Sequence, residues 1–539
     1  MISETWRGEM RHQYVARLLE SGAMRFRTVT YPPTVFWPAL VACFAAVLVS
    51  VFLPVTATQG AESDFFARHE LYLDGEVEDI LIGDADRDGL EDLIVFYRQP
   101  AGAGGREQYK IAFFRQDRAD QFKSAMGQTW DLPIAGGLFD LADVTGDSLR
   151  ELVLINSSGV FYYPLHSTRY DPASTPLFLL ANGAQVPPEG VRAWDFCWPL
   201  LAGPREVIAV PQWEHLELWA ADARGKYALT DSIVCGSIVH PPLSRAFQME
   251  TSAPGVSGIS YCLPAPAQRL SPTATEIFLS STAGVRAFRR DDLTKLDFSE
   301  GPQVLDAHAQ APLFSHGPFG SGVRVEDMNG DRSTDLVRWQ AKGGVTGAVS
   351  ELEIFYGPLT DLHLAAPHQR ITVDNVTMYP LFADLDGDGR KDIVLCAIEL
   401  GTITAAKMIV VKSANLYLLA YRQQPDNSFG KDPDQRLKID CRLNTESPDL
   451  LGRVPARFAD DLNSDRLTDL VVCPGQDELE IYLGEEGRLL PTEVTITLDC
   501  DAPAAVYPVD LNHDRKTDLV VLHHTKPNTA PKVTVFLTK

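Results

Sequence analysis

Helical periodicity is almost missing from this chain of 539 residues, and so are the signatures by which catalytic sites usually announce themselves. There is no GxSxG elbow, no HExxH, no phosphate-binding loop and no dinucleotide glycine pattern. Cysteine is scarce at eight residues, none in CxxC or zinc spacing, which excludes a zinc site of the usual kind. Seven of the eight lie past residue 61, an odd number, so at least one is free or paired between chains; buried small hydrophobes are the plain alternative. Positive charge is also scarce. The formal net charge is -24, and past residue 61 there are 43 basic against 69 acidic residues. A nucleic-acid partner needs a basic footprint and is excluded. His316, His523 and His524 read as turn or surface residues.

What the chain does have is an aspartate-spaced loop, repeated, each time followed by a short apolar strand. The fullest copies are Asp84, Asp86, Asp88, Asp92 and Asp384, Asp386, Asp388, Asp392. Three copies carry asparagine at the third place: Asp327, Asn329, Asp331, Asp335; Asp461, Asn463, Asp465, Asp469; and Asp510, Asn512, Asp514, Asp518. A sixth, worn copy is Asp143, Thr145, Asp147, Glu151. Oxygens at places 1, 3 and 5 of a tight loop, with a carboxylate at place 9, can converge on one point. That arrangement suits a hard cation with six to eight oxygen ligands, and calcium better than magnesium, which keeps more of its waters. Five to six calcium sites are expected. The loops hold twenty carboxylates, so bound calcium would also relieve self-repulsion.

A helical EF-hand would close its loop with a glutamate at place 12. Place 12 is Val95, Arg338, Leu395, Val472 or Val521 in the five good copies, and none of these can bind a cation. The runs after place 9 are apolar, β-branched and of strand length, so the loops join two strands.

These loops resemble the FG-GAP or VCBS-type calcium-loop repeats of integrin α-subunit propellers and bacterial surface proteins. The fullest likeness is Phe319, Gly320, Gly322, Val323 leading into Asp327, Asn329, Gly330, Asp331, Asp335. No copy carries Gly-Ala-Pro, which favours the bacterial type. The resemblance covers roughly residues 65–539 and implies an all-β fold: a β-propeller of about eight four-stranded blades, with seven as the alternative. It implies no function, because one fold hosts many sites.

Residues 35–55 are uncharged and almost wholly apolar, after Arg25 and Arg27. They form a cleavable signal peptide or a retained membrane anchor, so residues 1–61 are expected to be a leader and 62–539 the propeller. Either reading places the ring outside the cytoplasm. Blade one reads as strands at 79–83, 93–97, 109–114 and 128–132 around the first loop. Blade three is expected to begin at Val191–Asp195 and blade four at Ser257–Cys262, both without ligands in their loops. The last blade is one strand short, and His69–Leu73 is expected to complete it and close the ring. Trp194, Trp198, Trp213 and Trp219 crowd blade three and read as packing between blades, with a sugar-stacking platform as the alternative.

The expected function is that of a non-catalytic extracytoplasmic propeller that binds or scaffolds a protein or glycan partner. A polysaccharide lyase on a calcium propeller is the alternative. In an antiparallel blade, the loops after strands one and three share a face of the ring, so all the calcium loops do. The long insertions, above all Ile398–Ala414, fall on the other face, where Ile403, Met408, Ile409 and Val410 are candidate contacts. A short helix covering a blade or the channel is the other reading of that insertion.

Overall fold

The computed structural model describes residues 64–539 except several connections, the longest at 235–262, 307–320 and 443–455. The expected leader, residues 1–61, therefore lies outside the described residues, as do Ser257–Cys262, His316, His524 and Trp213. Among the described residues no helix is long and apolar enough to cross a membrane.

Among the described residues eight sheets of four or five strands, antiparallel but for one added strand, follow one another along the chain, making a β-propeller of eight blades. Blade one has strands Glu76–Gly83, Asp92–Gln99, Gln108–Phe114 and Gln128–Asp131. Blade six, the most regular, has Val376–Ala383, Asp392–Glu399, Ser413–Tyr421 and Gln435–Arg442. The expected closure is present: Phe66–Tyr72 pairs antiparallel with Lys532–Thr538 as the fourth strand of blade eight. The first and last described strands are thus joined in one sheet, of which Phe66–Tyr72 is the outer edge.

Alternation along each second strand explains how the blades stack. In blade one, Leu93, Val95 and Tyr97 pack with Val520, Val533 and Val535 of blade eight. Ile94 and Phe96 point the other way, against Phe139, Leu152 and Leu154 of blade two. Successive side chains of a strand face opposite sides, so a strand between two neighbours must be apolar throughout. Each such side chain contributes about 1.5–3 kcal/mol on burial. Ile393, Leu395 and Ala397 of blade six face blade five, whereas Val394, Cys396 and Ile398 face blade seven. Among the described residues such clusters join every consecutive pair of sheets except the fourth and fifth.

One strand expectation needs correction. Gly190–Ala193 does not begin blade three but runs parallel to Gly136–Ala142 as a fifth strand of sheet two. The carboxylate of Asp79 in blade one holds it there, accepting the Ala193 N–H at 2.9 Å. Blade three begins instead at Cys197–Trp198, where Asp140 of blade two accepts the N–H groups of Phe196 and Cys197, each at 2.9 Å. The first described strand of blade four is Leu263–Pro264, directly after Ser257–Cys262, which lies outside the described residues. Trp194 and Trp198 are buried, as packing residues should be. His523 is also buried rather than on a surface turn, and one ring nitrogen lies 2.7 Å from Thr534 Oγ1. Cys396, Cys441 and Cys500 are free thiols and buried.

Candidate metal centres

All six acidic loops adopt one backbone path. In each, places 4 and 6 have positive φ: Arg87 and Gly89, Gly146 and Ser148, Gly330 and Arg332, Gly387 and Gly389, Ser464 and Arg466, His513 and Arg515. Seven of these twelve are not glycine, and a left-handed non-glycine residue is strained. Strain of this kind persists where the surroundings over-determine it, as at ligand clamps. The left-handed turns wrap the chain around the place-1 carboxylate. Asp461, for example, accepts the N–H of Asp465 at 3.2 Å and of Arg466 at 2.9 Å. Asp84, Asp327, Asp384 and Asp510 likewise take backbone N–H groups from places 4 to 6 of their own loops. Asp143 does the same with Gly146 and Ser148.

The wrapping brings together the side chains that the sequence spacing singled out. In blade one, oxygens of Asp84, Asp86 and Asp88 lie within 4.8 Å of one another, and in blade six those of Asp384, Asp386 and Asp388 do so. In the asparagine copies, Asn329, Asn463 and Asn512 reach Asp331, Asp465 and Asp514 at 3.0, 2.9 and 3.2 Å.

Place 9 has a second task, which the sequence pattern did not reveal. Asp469 is buried, and its two oxygens accept the N–H of Leu462 at 2.6 Å and of Gly484 at 2.7 Å. Asp92, Asp335, Asp392 and Asp518 repeat the arrangement, each joining place 2 of its loop to the end of the third strand. Glu151, one carbon longer, turns both oxygens onto its own loop at Val144 and Thr145. Burial is the main force raising these acids, with hydrogen bonds opposing it and neighbouring carboxylates adding to it. Asp92 is pushed up to about 8, Asp335 to about 6, and Glu151, Asp392, Asp469 and Asp518 to about 7.

The loops are also tied to one another around the ring. Place 8 of one loop bonds a carbonyl at place 1 or 2 of the loop before it. Glu91 N–H donates to Leu511, Arg150 to Ala85, Lys391 to Met328 and Thr517 to Asp461, at 2.8–2.9 Å. Thr468 Oγ1 donates to the Asp384 carbonyl at 3.3 Å, and in ligand-free blade three Glu206 N–H still reaches Asp143 at 3.2 Å. One rim of the ring therefore carries a hydrogen-bonded hoop of acidic loops.

Two arginines, also invisible in the loop pattern, complete the electrostatics. Arg115 ends the third strand of blade one, donating from Nε to Asp86 at 2.6 Å and from Nη2 to Asp88 at 2.7 Å. Arg422 occupies the same register in blade six, 2.9 Å from Asp386. A side-chain cation thus already sits among these carboxylates. In all six loops the donors at places 1, 3, 5 and 9 are oxygen, with no nitrogen or sulfur ligand. That set fits a hard cation such as calcium, which places 1, 3 and 5 would hold together with the place-9 carboxylate.

Residues 461–521 match the family model described as an FG-GAP-like repeat, spanning the loops of blades seven and eight. No curated protein matches the sequence. Among solved structures, the chain is similar to a propeller titled Dos1, at 8% identity and TM-score 0.41, covering 87% of this chain and 95% of that one. A lectin from Agrocybe aegerita, described as recognising non-reducing terminal N-acetylglucosamine, aligns at 14% identity and TM-score 0.36 over 81% of this chain and 90% of its own. The WD40 domain of Toxoplasma gondii coronin aligns at 10% and 0.31, over 79% and 89%. At these scores none of the three carries an argument about what this chain binds.

Proposed function

Taking the chain as an FG-GAP-like repeat β-propeller, we propose that it is a calcium-stabilised, non-catalytic extracytoplasmic scaffold that binds a protein or glycan partner. The observation that carries the reading is the hoop: six loops of one backbone path and all-oxygen donors, hydrogen-bonded to their neighbours along one rim. A cation in such a loop would neutralise carboxylates that otherwise repel one another, and would favour the folded chain by mass action. At tenfold over its dissociation constant each ion contributes about 1.4 kcal/mol. Excess chelator is expected to lower the melting temperature of the full chain, and calcium titration to restore it. A melting curve indifferent to both would refute the metal half of the proposal.

The opposite face is the proposed working surface. The connection after Asp392–Glu399 emerges there, with Val410 and Val411 at 78% and 61% exposure and a helical turn at Lys407–Val411. Blade seven makes the same connection with about four residues, so the fold does not need the longer one. Ile403 and Ile409, also named as contacts, lie outside the described residues. Replacing Thr402–Ser413 by a short glycine-rich link should abolish capture of the native partner and leave calcium-dependent melting intact. Collapse of melting with normal binding by the surviving fraction would make the segment structural.

A further inference from the structure

The fullest acidic loops would ordinarily be taken as the strongest cation sites, but the structure assigns them a resident cation. We propose that the place-3 residue and the residue ending the third strand are a matched pair that fixes the charge of each loop. Arg115 and Arg422 are then built-in counter-cations, and a divalent ion in loops one and six must compete with them.

The pairing follows from register. The residue facing place 9 across the second and third strands stands one past the pairs Leu93–Phe114, Leu152–Tyr163, Leu336–Phe355, Ile393–Tyr421 and Leu470–Tyr482. Those residues are Arg115, Pro164, Tyr356, Arg422 and Leu483, and in blade eight the equivalent is Leu537. The two arginines occur in the two loops with aspartate at place 3. Where place 3 is asparagine or threonine, the strand end is Tyr356, Leu483, Leu537 or Pro164. Counting places 1, 3, 5 and 9 with this residue, all six loops carry a charge of -3, whereas without it loops one and six would carry -4.

The geometry is that of a built pair. Asp86 is 3% exposed and Asp386 13%, so neither carboxylate can rely on water for its counter-charge. Bonds between a guanidinium and a buried carboxylate are charge-assisted and directional. In blade six a second arginine, Arg390, pairs with Asp388, leaving Arg422 to Asp386. Arg205 lies against Gly146 of loop two and donates to the Thr145 carbonyl, a backbone acceptor rather than the place-3 side chain, so it is not part of the pattern.

The test uses the full chain and the variants Arg422→Leu, Asp386→Asn and their double, with Arg115→Leu and Asp86→Asn as the second set. In excess chelator, Arg422→Leu should lower the melting temperature, and adding Asp386→Asn should restore it, because the double variant recreates the composition of an asparagine loop. Equal losses in single and double variants would overturn the matched pair. The competition half rests on the calcium reading above. In a calcium titration followed by calorimetry, Arg422→Leu should tighten the affected site at least about tenfold, since one positive charge is removed from beside the ion. An unchanged or weaker site would overturn it. If the native chain binds no calcium at all, the calcium reading fails, and the comparison in chelator still decides the pair.

Discussion

The double role of place 9 makes a prediction that separates fold from metal. Asp469→Ala removes a buried carboxylate and leaves the N–H groups of Leu462 and Gly484, at 2.6 and 2.7 Å in the native chain, without their acceptor. A buried donor left unsatisfied costs about 1–3 kcal/mol. Part of that is offset because the acid is itself uncomfortable, its pKa pushed up to about 7 by burial. The net loss should be about 2–4 kcal/mol, or roughly 3–6 °C in melting temperature. Asp465, by contrast, is exposed and accepts only the Leu467 N–H and the Asn463 amide. Asp465→Ala should cost under about 1 kcal/mol without metal, in line with substitutions away from the core. The assay is thermal unfolding of both variants in excess chelator and again in saturating calcium. In chelator only Asp469→Ala should fall; in calcium both should, because both lose the ion. If Asp469→Ala melts with the native chain in chelator, the carboxylate serves the metal alone and the structural account fails.

Two further outcomes are expected. The raised place-9 acids favour a protonated folded state, so in chelator their contribution is full below about pH 4 and is lost as pH rises through about 6 to 8. His523, whose pKa burial lowers, acts in the opposite sense over this interval, whereas acids held low by their partners, such as Glu70 at about 2 and Glu353, change their contribution only at lower pH. The chelated protein should therefore melt higher at pH 5 than at pH 8, with the gain from calcium growing over the same interval; a chelated melting temperature that climbs with pH would contradict this. Gly330→Ala should also destabilise, because φ there is +75° and a Cβ would meet the Gly389 carbonyl oxygen of the next loop at 2.6 Å. Differential melting against Gly387→Ala, where a Cβ meets nothing within 4 Å, isolates the loop-to-loop contact from backbone strain.

The fold could be read from the sequence because its repeated loop is local: four oxygen-bearing places within nine residues, then an apolar run, whatever lies between blades. What escaped was whatever depends on strand register. The bond from place 9 to the third-strand end spans 24 residues in blade one, 31 in blade six and 15 in blade seven. No fixed spacing leads from Asp86 to Arg115 or from Asp386 to Arg422. The same limit misplaced Val191–Asp195. Its alternation announces a strand, but the carboxylates of Asp79 and Asp140 decide which sheet receives it. The left-handed Arg87, Arg466 and Arg515 were hidden for another reason, since arginine gives no hint of a positive φ that glycine at the same place makes obvious.

The closing strand sets a timetable for the whole molecule. Phe66 must find Thr538 and Tyr72 must find Lys532, so the eighth blade cannot form until the last residues of the chain are available. Until then a growing chain is an open arc, with blade one lacking the neighbour that Leu93, Val95 and Tyr97 need and the final sheet lacking its edge strand. Contacts this distant in sequence form slowly. A chain halted a few residues early would thus present two sticky ends to whatever lies nearby, whereas in the finished ring blades one and eight cover each other.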